Sequence, residues 1–224
     1  MRTVIFDLDG TLADTSRDLI DAANACFVAL GHGAPLDPVA DAATAFRGGR
    51  AMLTLGFERV QPEFNEADLD REHPIFLNHY ARDLDRHTRM YDGAVAAVER
   101  LRAAGVRVGV CTNKPEGLAQ ELLTRLGVRD LFGSLIGADT LPTRKPDPAP
   151  YVASVHGVGG DVGQSILIGD TITDRKTAAA VGIPCVLVTF GPTGRAVADL
   201  NPEALLDHYD DLDGIVDRLI PAGV

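Results

Sequence analysis

The chain has 224 residues, 46% of them hydrophobic and 24% charged, with a formal net charge of −11 at pH 7. A chain of this length and composition buries a full core without disulfide or metal staples, and its acidity argues against a nucleic-acid partner, because phosphate backbones attract basic surfaces. Apolar runs fall short of the ~18 residues needed to span a bilayer, Met1-Arg2-Thr3 leads into a strand pattern rather than a secretory core, and Cys26, Cys111 and Cys185 lie in apolar settings without metal spacing, which predicts reduced, buried thiols in a cytoplasmic protein.

The first predicted element is a strand over Thr3–Phe6, short, apolar and β-branched. From about 15 to 88 only helical patterns follow: 18–30, stopped by Gly31; a helix after Gly48-Gly49; and one long helix or two over 66–86. This stretch of roughly seventy residues far exceeds an ordinary connection, and predicts a small all-helical domain inserted after the first strand to cover a site. Alternation then begins: helix 94–104 ending at Gly105, strand 106–111, helix 115–126 opened by Pro115 and closed by Gly127. A weaker strand at 131–136, strand 165–168, helix 173–181 before Gly182 and strand 184–189 complete the pattern. Strands alternating with helices imply an α/β fold, a doubly wound parallel sheet with right-handed crossovers. The predicted domains are 1–14 with 89–224 as the α/β core and 15–88 as the helical insertion.

Four polar clusters follow strand ends or helix starts, where open parallel sheets bind ligands. Asp7-Leu8-Asp9-Gly10-Thr11-Leu12 directly follows the first strand; strand alternation puts Asp7 and Asp9 on one side, and Gly10 turns the chain away. Two carboxylates ~4 Å apart repel by about 4 kcal/mol at an effective dielectric of ~20, so they call for a cation or a shared proton. An ordinary Asp-Gly turn is the bland alternative. Thr112-Asn113-Lys114-Pro115 places a hydroxyl and an amide at a helix start, fit for an anion or for simple capping. Lys145 stands in Arg144-Lys145-Pro146-Asp147-Pro148, held by two nearby prolines as a point charge for phosphate. Gly169-Asp170-Thr171-Ile172-Thr173-Asp174 adds two further carboxylates. Oxygen-only donors favour Mg²⁺ over zinc or copper. His32, His73, His79, His87, His156 and His208 form no metal-like pairs and are expected to be surface or structural groups.

With these four clusters in order, the sequence resembles the haloacid dehalogenase superfamily over nearly its whole length, and within it the phosphoglycolate phosphatase-like branch, with a helical cap of the first cap class. The resemblance implies an enzyme in which Asp7 attacks phosphorus and forms an aspartyl-phosphate. Asp9 protonates the leaving alcohol and then activates water. Thr112 and Lys145 bind phosphate oxygens, with Leu8 and Asn113 adjacent. Mg²⁺ is held by Asp7, the backbone carbonyl of Asp9 and Asp170, with Asp174 acting through water or by orienting Lys145. Asp9 separates this pattern from dehalogenating and phosphonate-cleaving members, which lack an acid there. The implied partner is a small phosphate ester, 2-phosphoglycolate first; a sugar phosphomutase, or a phosphatase of sugar phosphates, nucleotides or pyrophosphate, is the alternative. Arg47 or Arg50, flanking Gly48-Gly49, could meet a substrate carboxylate. A non-catalytic binding module is disfavoured because Asp7, Asp9, Lys145 and Asp170 are all present. A monomer or homodimer is expected.

Overall fold

The computed structural model describes residues 1–222. In chain order its elements are β1 (Thr3–Phe6), β2 (Ala13–Asp14), α1 (Ser16–Ala29), α2 (Ala42–Ala45), α3 (Gly49–Val60), α4 (Glu66–Arg82), β3 (Arg89–Met90), α5 (Ala94–Ala103) and β4 (Arg107–Cys111). There follow α6 (Glu116–Arg125), β5 (Ser134–Ile136), α7 (Pro148–Gly157), β6 (Ser165–Gly169), α8 (Ile172–Val181), β7 (Cys185–Val188), β8 (Ala204–Leu206) and α9 (Leu212–Leu219). Two compact units result: Met1–Ala13 with Met90–Val224, and Asp14–Arg89.

In the larger unit six strands form one sheet in the order β5-β4-β1-β6-β7-β8. All five pairings are parallel. The first strand lies inside the sheet: Thr3 is in register with Arg107 on one side and Ser165 on the other. The chain steps from β1 out to β4 and β5, then returns past β1 to begin β6, β7 and β8. That reversal puts the topological switch point, the usual ligand crevice of such sheets, at the carboxyl end of β1.

Both sheet faces are covered, which is why the strands read as continuous apolar runs rather than alternating ones. Val4, Ile5 and Phe6 are all fully buried. Ile5, Leu167, Cys185 and Leu187 share a core with Tyr151 and Val155 of α7 and Ala178 of α8. Phe6, one residue on, faces the other way and meets the ring of Tyr209 at 6.5 Å. The weak strand expected over 131–136 is a short 3₁₀ turn at Arg129–Leu131 followed by a three-residue strand.

The smaller unit is helical apart from its ends. Phe27 of α1 meets Phe57 of α3 edge-on at 5.0 Å, and Phe57 stacks on Phe64 at 5.4 Å. The pattern over 66–86 is a single helix, α4, that stops at Arg82, opened by a capping box of Asn65 and Asp68 and continuous through Pro74. Asp18 on α1 is buried and accepts from the backbone N–H groups of His87 (2.9 Å) and Thr88 (2.8 Å) and from the Thr88 hydroxyl (2.8 Å). It thereby ties the beginning of this unit to its end. Asp18, Asp21 and His87 lie close enough to suggest a metal site, but the Asp18 carboxylate is already committed to these donors. β2 and β3 pair as a separate two-stranded sheet.

Candidate active site

The ladder of β1 ends at Phe6, but the Asp7 N–H still donates to Ile168 O at 2.8 Å, so the nucleophile candidate is held at the end of the central strand. The chain then turns. Gly10 adopts φ 80°, and the N–H groups of Leu12 and Ala13 return to Leu8 O at 3.0 and 3.1 Å. Asp9, where this turn begins, lies close enough to Asp7 to raise its carboxyl. Leu8 is fully buried, so only its backbone can serve the site. Its N–H donates to Asp7 Oδ1 at 2.7 Å and fixes the carboxylate.

Lys145 approaches from the loop before α7. Asp147 caps that helix and Pro148 opens its first turn, which anchors the loop. The buried ammonium lies 3.2 Å from Asp7 Oδ1 and 2.6 Å from Asp174 Oδ1. Asp174 Oδ2 accepts from the Thr171 hydroxyl (2.8 Å) and the Thr171 N–H (3.1 Å), a capping box at the start of α8. With both oxygens so occupied, Asp174 orients Lys145 rather than reaching a ligand itself. Gly169 makes this possible: a Cβ there would fall 2.3 Å from the Asp174 carboxyl carbon. Asp170 is buried beside them and accepts from the Thr11 hydroxyl at 3.2 Å.

The electrostatics follow from burial and crowding. Desolvation raises the Asp7 carboxyl most, and Asp174 and Asp9 add to it against the pull of Lys145, leaving it at about 6. Burial, Asp174 and Asp7 push Asp170 well above the ordinary carboxylate range. Burial alone would lower Lys145, but Asp174 and Asp7 outweigh it and hold the ammonium firmly charged. Cys111, at the end of β4, is pushed up to about 12 by burial and remains an inert thiol.

The loop after β4 supplies the remaining groups. Thr112 is buried and its hydroxyl accepts from Lys114 N–H at 3.1 Å. Asn113 is exposed, and its amide donates to Lys145 O at 2.9 Å, joining the two loops. Lys114, which sequence reasoning passed over, is the third component: its Nζ donates to Asp9 Oδ1 at 2.8 Å. The only signal for it in the sequence is its place directly after Thr112-Asn113 at a strand end. Arg50, in the other unit, is engaged by Asp70 at 2.6 Å and Glu66 at 2.5 Å, and Arg47 is exposed just before the left-handed Gly48.

Asp7 and Asp170 offer carboxylate oxygens that, with one of Asp174 behind them, all lie within 4.8 Å of one another. Counting Asp9, four carboxylates face the ammonium groups of Lys114 and Lys145. The excess of negative charge, and the raised Asp7 and Asp170, are what a hard divalent cation would relieve, so the donor set fits Mg²⁺.

The family model of haloacid dehalogenase-like hydrolases matches residues 1–182. The chain belongs to this family. Among curated members, the phosphoglycolate phosphatase of Mesorhizobium japonicum is 37% identical over 225 residues, spanning 98% of this chain and 96% of that protein. The phosphoglycolate phosphatase of Rhodospirillum rubrum is 40% identical over 216 residues, 94% of this chain and 89% of its own. Among solved structures, the predicted phosphoglycolate phosphatase of Haemophilus somnus superposes with a TM-score of 0.84 at 25% identity, covering 96% of this chain and 97% of that one. A candidate β-phosphoglucomutase of Thermotoga maritima shares the fold as well, with a TM-score of 0.71 at 19% identity over 98% of this chain and all of that one. This haloacid dehalogenase-like hydrolase is a phosphoric monoester hydrolase, and no helix among its described residues is long and apolar enough to cross a membrane.

Proposed function

We propose that the protein is a Mg²⁺-dependent phosphatase of small phosphate monoesters that works through an aspartyl-phosphate on Asp7, with 2-phosphoglycolate as its substrate. The observation that carries this is the setting of Asp7: a carboxylate at the switch point of the sheet, 3.2 Å from a buried lysine that Asp174 orients. In the first step an Asp7 oxygen forms a bond to phosphorus. The electron pair of the ester P–O bond passes to the leaving oxygen, which takes its proton from Asp9. In the second step Asp9 takes a proton from water as the water oxygen bonds to phosphorus, and the Asp7–phosphorus electron pair returns to Asp7. Inorganic phosphate leaves. Lys145 and Thr112 bind the phosphoryl oxygens throughout. Asp7, Asp170 and the Asp9 carbonyl would hold Mg²⁺, with Asp174 behind, and the ion supplies positive charge to the phosphoryl oxygens.

Residues 15–88 serve in this scheme as a cap that excludes water during transfer, with 1–14 and 89–224 as the catalytic core. Arg47 is the better candidate for the substrate carboxylate, because Arg50 already holds two acids. A monomeric or homodimeric enzyme of the cytoplasm fits these properties. The substrate is supported by the names of the curated relatives, and a panel of esters tests it. Phosphoglycolate, sugar phosphates, nucleotides and pyrophosphate are assayed for Mg²⁺-dependent phosphate release. Phosphoglycolate ranking first is the expected result. A ranking far below the others would overturn the substrate while leaving the chemistry. A requirement for a sugar bisphosphate with little free phosphate would make the protein a mutase.

A further inference from the structure

Lys114 has no part in the reaction as written, yet it is built into the site. Its side chain is 2% exposed, and its Nζ donates to Asp9 Oδ1 at 2.8 Å. The backbone beneath it is fixed on both sides: Lys114 N–H donates to Thr112 Oγ1 at 3.1 Å, and Lys114 O accepts from Ala138 N–H at 2.9 Å. Burying an ammonium is expensive unless a partner compensates it. Here that partner is the carboxylate assigned to proton transfer. The other lysine is not available for the same task, since Lys145 is engaged by Asp174 and Asp7.

The geometry points to Lys114 as a positioning residue for Asp9: it grips Oδ1, so that proton exchange with the leaving oxygen, and later with water, runs through Oδ2 in a single orientation. This rests on the assignment of Asp9 as the acid and base of the proposed reaction. The need for such a grip follows from where Asp9 sits. It lies on a turn rather than in the sheet, and its side chain is 17% exposed. Proton transfer requires the carboxyl within hydrogen-bond reach of the reacting oxygen. The two lysines thus divide the site. Lys145 sets the nucleophile, and Lys114 sets the group that moves protons.

The test separates positioning from simple charge balance by varying the leaving group. kcat/KM reports steps up to phosphoenzyme formation, where Asp9 is needed only if the leaving oxygen requires a proton. Lys114→Met is therefore expected to lower kcat/KM about 100-fold for alkyl phosphates and less than about threefold for p-nitrophenyl phosphate, whose phenolate departs unprotonated. kcat should fall for both, because phosphoenzyme hydrolysis uses Asp9 whatever the ester. Lys114→Arg should restore much of the alkyl activity. Added to Asp9→Asn, Lys114→Met should cause little further loss. Equal losses of kcat/KM on the two ester classes, or additive losses with Asp9→Asn, would overturn the assignment. So would a loss confined to carboxylate-bearing esters, which would make Lys114 a substrate ligand. If Lys114→Met does not fold, Lys114→Gln carries the same comparison. Asp9→Asn alone checks the underlying chemistry: if it fails to discriminate alkyl from aryl esters in the same way, Asp9 is not the acid and both proposals fall. Discrimination by Asp9→Asn without discrimination by Lys114→Met removes only the second.

Discussion

At Asp7, desolvation and the neighbouring acids hold the carboxyl at about 6, above the ordinary 3.8. A carboxyl raised on folding contributes stability that is fully present below the unfolded value and is lost as pH rises through the folded one. For Asp7 the loss runs from about 3.8 to about 6 and is complete at neutral pH. Asp7→Asn should therefore abolish phosphate release and, in metal-free protein at neutral pH, raise stability by on the order of 1–3 kcal/mol. Denaturant titrations at neutral pH and near pH 4 check the sign, since the gain should shrink in acid. The gathering of Asp7, Asp9, Lys145 and Asp170 was legible in the sequence because each stands in a short string at an element boundary. Lys114 was not. A lysine is solvated by default, and only the path of the loop after β4 turns its ammonium onto Asp9. Arg50 shows the converse: its sequence position suggested a substrate contact, while the fold supplies it with Glu66 and Asp70.

Among elements, the start of α8 and the end of β6 meet so closely that a single methyl matters. A Cβ on Gly169 would sit 2.3 Å from Cγ and 2.4 Å from Cβ of Asp174, neither of which can retreat while the capping box holds. Gly169→Ala is expected to lower kcat by at least about 100-fold by displacing Asp174 and with it Lys145. Melting curves run alongside the kinetics should show a folded protein with lowered stability. In the helical unit, Asp18→Ala would leave two N–H groups and a hydroxyl without their acceptor, at a cost of about 2–4 kcal/mol. Faster amide exchange at His87 and Thr88 would register it. The strong strands and the helices stopped by glycine could be read directly, because apolar runs and left-handed stops are local signals. β8 could not be, whereas α9 could. β8 is three residues at the sheet edge, two of them half-buried and Leu206 fully buried, too short to carry a pattern, whereas α9 carries apolar residues at 212, 215, 216 and 219, a helical spacing beyond the last predicted element.

For the molecule as a whole, a cation bound at the acid cluster would couple to the stability of the fold. Crowded carboxylates are a liability that a bound ion converts into stability, by RT ln(1 + [L]/Kd), about 2.7 kcal/mol when the free ion stands at 100 times its Kd. Mg²⁺ should thus raise the melting temperature of the native protein, and chelator should reverse it. In Asp170→Asn the same addition should shift the melting temperature much less, which calorimetry can measure without any turnover. Fold class was visible from the alternation of strands and helices alone. The order of the strands was not, because nothing local distinguishes a first strand that ends at an edge from one that ends in the middle.

That middle position has a further consequence for how the chain is made. β1 leaves the ribosome before both of its neighbours, which begin only at Arg107 and Ser165. At about 5–20 residues per second, the later partner follows after roughly 8–30 s. Until β4 has emerged the nascent chain carries the strand Thr3–Phe6 with both of its hydrogen-bonding edges open, and the edge that will meet β6 stays open to the end of the interval, with Asp7 at its tip. Synthesis therefore leaves open, for much of its course, a strand that the finished enzyme buries completely.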